Sequence, residues 1–323
     1  MNILFDNYIL PISGIDFVRF IAIFYDLSKY EIKPERIFSA SGGCLSSYCA
    51  MMSKFSASVE NWSFNSEMFI KKISPISFRM ITFLTKGFLY HRQNIDNYIT
   101  QNFIPHSLRD LEIITGFYTE TNENKINIVL TTNFPKNLSY LKNLNPEEYI
   151  GKNLSVEFPM DENEYKNTNS KRHYLDYLMK FCIDAIYKTS NIPYLLNPIG
   201  EEKANDFGII SPSPRILAKA NMKKSIYFSP VNLENNKKKN YELLFHQLIL
   251  RDITSIESML KKKTDVYKTF DNVLKFLENK KEYCIIAYCS CDFELSITNF
   301  TDEMIREKIN LCKKNIKYIV FYN

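Results

Sequence analysis

The residue of this chain best set to act as a nucleophile is Ser41, in Ile37-Phe38-Ser39-Ala40-Ser41-Gly42-Gly43-Cys44-Leu45. An apolar run enters a knot of small residues and a helix-like run leaves it. This spacing predicts a sharp strand-to-helix turn with the serine at its tip, the Gly-x-Ser-x-Gly form with Ser39 in place of the first glycine. Small neighbours are needed because the central residue takes strained backbone angles, and bulk on either side collides with the strand or the helix. A serine of this kind needs a base and an anion hole. The histidines are His91, His106, His173 and His246. His246 lies in the apolar helical run Leu243 to Leu248 and reads as a structural, partly buried side chain. The other three fall in insertion or helix contexts, so a Ser-His-Asp triad is not supported. An aspartate held in a dry site can accept the proton directly. Asp206, in Asn205-Asp206-Phe207-Gly208 between apolar runs, is the candidate, although an aspartate before a glycine is ordinarily a turn residue.

Around these residues the chain reads as strand, small-residue turn, helix, twice over. Asn7 to Ile12 is expected as a strand, Ser13-Gly14 as its turn, and Phe17 to Leu27 as a buried helix. Arg36 to Phe38 is the strand into the Ser41 turn, and Leu45 to Phe55 the helix leaving it. Such a βαβα start predicts a parallel sheet covered on both faces, with ligands at the carboxyl ends of the strands. Residues 56–108 are helical, aromatic and basic, which suits either an insertion packed on the core or a cap contacting a lipid surface. Asp110 to Glu120 and Ile126 to Thr132 form a hairpin, Asn133 to Lys171 reads as surface loop with short helical pieces, and His173 to Tyr187 as helix. Further on, Ser225 to Phe228 is a strand, Tyr241 to Glu278 is largely helical and Tyr283 to Cys289 is a buried strand. A capped helix then runs from Thr301 to Lys314, before a last strand or tail at Tyr318 to Phe321.

Composition narrows the classes. At 323 residues and 45% hydrophobic, the chain suffices for one large α/β domain or two smaller ones. The net charge of +5 is spread along the sequence and does not call for nucleic acid, though it favours an anionic lipid surface. Seven scattered cysteines point to free thiols in a reducing, cytoplasmic setting. No signal peptide or membrane span is expected, and no metal site: Cys289-Ser290-Cys291 is too tight a pair for a zinc knuckle, and no histidine sits near a cysteine cluster.

The order of these motifs resembles the patatin-like phospholipase family. Ser13-Gly14-Ile15 occupies the place of that family's glycine-rich anion-hole turn, and Ser39 to Gly43 that of its nucleophile turn. Ser190-Asn191-Ile192-Pro193 with Pro198 matches the segment before its aspartate. Asp206-Phe207-Gly208 with Pro212 matches the aspartate motif itself. The resemblance spans roughly residues 8–228. It implies a three-layer α/β/α fold with a mainly parallel central sheet and a catalytic core over 1–228. The insertion at about 56–108 would be its cap, and 229–323 an α/β extension packed on the same core. It further implies Ser41 as nucleophile and Asp206 as base, with an anion hole from backbone N–H groups at Gly14, Ile15 and Gly42. Ser39, Gly43, Pro193 and Gly208 would support the turns. The implied reaction is hydrolysis of phospholipid or other acyl-lipid esters through an acyl-serine, at a peripheral membrane surface, without a cofactor; some members of the family use a protein activator. The chain departs from the family pattern in three places. Of the several glycines and the basic residue usual in the anion turn only Gly14 survives, with Asp16 close behind; Ser39 replaces the first elbow glycine, and Phe207 replaces the first glycine of the aspartate motif. Two other readings use the same residues: a catalytically weak or inactive scaffold or binding protein, and a hydrolase of small soluble esters.

Overall fold

The computed structural model describes residues 5–30, 32, 34–44, 46–47, 112–120, 126–132 and 153–157. It also describes 181, 184–185, 188–189, 204–206, 208, 223–234, 240–293 and 302–323. The expected insertion at 56–108, Pro193, Pro198, Pro212, His91, His106 and His173 lie outside the described residues.

β1 (Phe5–Leu10) leads through a one-turn 3-10 helix at Gly14–Asp16 into α1 (Phe17–Ser28), and the chain returns as β2 (Pro34–Ser39). Phe17, Val18 and the unbroken run Phe20 to Phe24 are all buried, as is Arg19 among them, so most of α1 lies inside the molecule. The hairpin is present as β3 (Glu112–Glu120) and β4 (Ile126–Thr132), paired antiparallel. β5 (Asn153–Glu157) corrects the reading of 133–171 as surface loop with short helical pieces, since it pairs parallel with β4. β6 (Asn205–Asp206) is a two-residue strand, and β7 (Ser225–Phe228) follows as expected.

The segment read as largely helical from Tyr241 to Glu278 is three elements: α2 (Asn240–Met259), β8 (Lys262–Tyr267) and α3 (Phe270–Leu277). β8 is a solvent-facing edge strand with lysines on it. Without a buried face it shows no alternation of apolar and polar residues. β9 (Tyr283–Cys289), α4 (Asp302–Lys313) and β10 (Ile316–Tyr322) complete the described chain.

The ten described strands form one sheet in the order β5-β4-β3-β2-β1-β7-β9-β10-β8, with β6 paired to β3 off this path. The pairs β1/β2, β1/β7, β2/β3, β4/β5 and β7/β9 are parallel; β3/β4, β3/β6, β9/β10 and β10/β8 are antiparallel. The fold is therefore α/β with a large, mostly parallel sheet. Successive residues of its central strands point to opposite faces. Tyr8, Leu10, Ile285, Ala287, Tyr318 and Val320 pack with α1, α3 and α4. Ile9, Ile286, Ile319 and Phe321 pack on the other face with Ile249 and Ile256 of α2. Burial on both faces explains why β9 reads Tyr-Cys-Ile-Ile-Ala-Tyr-Cys without a polar break.

Candidate active site

The site grows out of the register of β1 and β2. Leu10 and Ser39, the last residues of the two strands, are partners across the parallel pair, and the Ala40 N–H donates to the Leu10 carbonyl at 3.0 Å. The turns leaving the two strands therefore start side by side at the carboxyl edge of the sheet. Ser41 follows with φ +51°, in the left-handed region. For a residue with a side chain this costs on the order of 1 kcal/mol, and it persists only where the surroundings hold it. Here the holding is local. The Gly43 N–H bonds the Ala40 carbonyl and the Cys44 N–H bonds the Ser41 carbonyl, both at 2.9 Å, which opens a helical segment at residue 42. The Ser46 and Ser47 hydroxyls donate back to the Gly42 and Gly43 carbonyls.

The glycines permit close approach. A Cβ on Gly43 would stand 2.7 Å from the Leu10 carbonyl oxygen and 2.8 Å from that of Pro11. A Cβ on Gly42 would stand 2.5 Å from the Gly14 carbonyl oxygen. Each distance is shorter than a side chain tolerates, so the elbow sits directly on the 3-10 turn after β1. The two turns expected to form an anion hole are thus in contact. Gly14 itself has φ +52°. Among the described residues the N–H groups of Gly14 and Gly42 donate to nothing, whereas those of Gly43 and Cys44 are used within the elbow.

Asp206 reaches the site through β3. β2 pairs with β3 only as far as Phe38 opposite Ile114, because the chain then turns off into the elbow. β3 continues, and on the edge β2 has vacated it pairs with β6, Phe117 opposite Asp206. The aspartate is therefore a strand residue rather than a turn residue. It takes up the line of β2 just past the point where Ser41 leaves it. The Ser41 hydroxyl donates to Asp206 Oδ2 at 2.5 Å across 165 positions of sequence. The other carboxylate oxygen accepts the Gly208 N–H at 2.6 Å. Gly208 is tied to its place by Ile12, whose Cδ1 would lie 2.6 Å from a Cβ there. Phe117 and Ala204 form a small buried apolar cluster beside the strand.

Asp206 is fully buried and Ser41 is 3% exposed. Burial is the main reason that the Asp206 carboxyl is pushed up, from its ordinary 3.8 to about 7; the bonds from Ser41 and the Gly208 N–H act against it. Behind the pair, the Thr115 hydroxyl donates to the Ser39 carbonyl at 2.9 Å and meets the Thr189 hydroxyl at 3.0 Å. The helical residues 188–189 are thereby seated against β3, directly after the expected end of that helix at Tyr187.

Asp16, an acidic residue beside a turn meant to hold an anion, has an answering charge. Arg19 lies one turn further along α1. Burial alone would lower its guanidinium, but Asp16, followed by the sulfur atoms of Cys289, Cys312 and Cys291, outweighs burial and holds it above its ordinary value. Arg19 Nη1 donates to the Cys289 and Cys291 carbonyls at 3.1 and 2.9 Å, and the guanidinium stacks on Phe293 at 4.3 Å. His246 is buried on α2. Cys44, Cys284, Cys289, Cys291 and Cys312 are buried free thiols. Among the described residues no three His, Cys, Asp or Glu side chains gather to hold a metal ion, and no helix is long and apolar enough to cross a membrane.

Of the residues singled out from the sequence, Ser41, Asp206, Gly14, Ile15, Gly42, Ser39, Gly43 and Gly208 fall in this one region at the carboxyl edge. Sequence reasoning passed over Thr115 and Ile12, whose roles follow from the sheet register. No protein-family model matches this chain, and no curated protein matches it.

Proposed function

We propose that the protein is a lipid acyl hydrolase of the patatin-like phospholipase kind, working through a Ser41–Asp206 dyad. The observation that carries the reading is the 2.5 Å bond from a backbone-strained serine hydroxyl to a fully buried carboxylate. In the first half-reaction the Ser41 hydroxyl gives its proton to Asp206 Oδ2 as Oγ attacks the ester carbonyl carbon. The carbonyl oxygen takes up the electron pair and is met by the N–H groups of Gly42 and Gly14, with Ile15 beside them. As the carbon–oxygen bond to the alcohol breaks, Asp206 returns the proton to the leaving oxygen. Water then repeats the sequence on the acyl-serine, again with Asp206 as base, and releases the fatty acid. The order of sequence motifs supports the family assignment and the lipid substrate. The positive net charge suits a bilayer surface.

The reduced anion turn, with Gly14 as its one glycine and Asp16 behind it, favours a second reading: a binding protein that holds acyl lipid without cleaving it. Incubation with phosphatidylcholine and phosphatidylglycerol vesicles separates the two. Release of fatty acid, lost in Ser41→Ala and in Asp206→Asn, is expected, together with covalent labelling of Ser41 by a fluorophosphonate. Vesicle binding with neither release nor labelling establishes the second reading instead.

A further inference from the structure

Ser13 sits at the hinge between β1 and the 3-10 turn, and its backbone and side chain are used differently. Its carbonyl accepts the Asp16 N–H at 3.0 Å and closes the turn. Its side chain makes no capping bond. The residue is 1% exposed, and its Oγ has no hydrogen-bond partner among the described residues. A buried hydroxyl left unpaired costs about 1–3 kcal/mol. Replacing it by hydrogen would cost almost nothing in shape, so folding does not explain its presence. Its position does suggest a use. A Cβ on Gly42 would lie 2.6 Å from Ser13 Oγ, so the hydroxyl rests against the backbone of the residue that follows the nucleophile, in the crease where the anion turn meets the elbow.

We infer that the Ser13 hydroxyl is a side-chain donor to the oxyanion, joining the backbone N–H groups of Gly42 and Gly14. The inference rests on the dyad reading above and adds a residue to it. A hydroxyl rotates freely about its C–O bond. It can stay unpaired in the free protein and turn its proton onto the negative oxygen that forms on the acyl carbon attached to Ser41. Its bond is then gained in the transition state rather than in the ground state, which is the condition for raising turnover instead of affinity. It also offers a physical answer to the shortage of glycines in this turn, because a side-chain donor does not need the backbone to come as close.

The test uses the full chain, a p-nitrophenyl acyl ester and a fluorophosphonate. Ser13→Ala is expected to lower kcat by about 10²-fold with KM nearly unchanged, the size of loss typical of one anion-hole donor. Labelling of Ser41 should slow by a similar factor, since the phosphonyl oxygen occupies the same position, while the melting temperature holds or rises. Ser13→Gly separates the hydroxyl from the backbone: it should lose as much as Ser13→Ala, and it serves as the second variant if the first does not fold. Full turnover and labelling rates in both variants, with Ser41→Ala inactive, overturn the Ser13 role and leave the dyad standing. Turnover that survives in Ser41→Ala, or a wild-type chain that neither turns over nor labels, overturns the dyad and this inference together.

Discussion

Two residues other than glycine occupy the left-handed backbone region among the described residues, and they sit at opposite edges of the same parallel part of the sheet, beside the two strands that flank β1. Ser41, φ +51°, follows β2 at the carboxyl edge; Lys224, φ +57°, precedes β7 at the amino edge. Around Lys224 the backbone is stitched on both sides. Its N–H donates to the Tyr283 carbonyl at 2.6 Å and its carbonyl accepts the Asp6 N–H at 2.9 Å, which starts β7 between β9 and β1. Strain there is repaid by strand pairing. Around Ser41 the same strain holds a hydroxyl against a buried carboxylate. An unusual φ is therefore not in itself a mark of a reactive residue. What distinguishes the two is the group that each strained turn presents, and to what.

The contrast can be broken experimentally, the largest effect being expected at the elbow. Gly42→Ala puts a methyl 2.5 Å from the Gly14 carbonyl oxygen and must push the two turns apart. We expect kcat/KM on an acyl ester to fall by about 10²-fold or more, as a misplacement near 1 Å commonly does, with the fold retained by circular dichroism.

The pH dependence comes next. Asp206 must be ionised to take the proton, and burial pushes it up to about 7, so kcat/KM should rise through that pH and level off above it. The same shift carries an opposite consequence for stability. The folded state holds this proton more tightly than the unfolded chain, so stability falls as pH rises from about 4 through about 7. Asp206→Asn removes that dependence: thermal melting should show the variant gaining on wild type at pH 8 and not at pH 4.

The smallest effect belongs to the amino edge. Lys224→Gly relieves the strained turn for a net gain of about 0.5–1 kcal/mol in denaturant unfolding and leaves turnover unchanged. Ser41→Gly relieves the same strain but leaves the buried Asp206 Oδ2 without its donor, so it should gain less than Lys224→Gly while ending turnover. Equal loss of activity in both variants would erase the distinction.

Much of the site is legible in the linear sequence because its chemistry depends on residue types that few other arrangements require. A serine among small residues and an aspartate two before a glycine can be paired on paper, although 165 positions separate them. What cannot be read there is how the pair is brought together. Asp206 reads as a turn because β6 is only two residues long, and its place follows from where β2 leaves β3. β8, Lys-Lys-Thr-Asp-Val-Tyr, is hidden for the opposite reason: an exposed edge strand has no apolar face to betray it. β5 carries the alternation Leu154, Val156, but five residues within a polar stretch fall below what periodicity can separate from loop. The buried strands β7 and β9 are the easiest to find, since burial on both faces leaves nearly continuous apolar runs.

The bonds from Arg19 to the Cys289 and Cys291 carbonyls have a consequence for the order in which the chain can mature. α1 and the turn at its start are made some 270 positions before the acceptors that settle this guanidinium in the interior. β7 likewise waits for β9 to cover its free edge. A nascent chain that has already emerged with both Ser41 and Asp206 still lacks the two carbonyls that accept from this guanidinium in the interior, although Asp16 already answers its charge. The described sheet is therefore completed only once β9 and the segment following it have been made, well after the segments that carry Ser41 and Asp206.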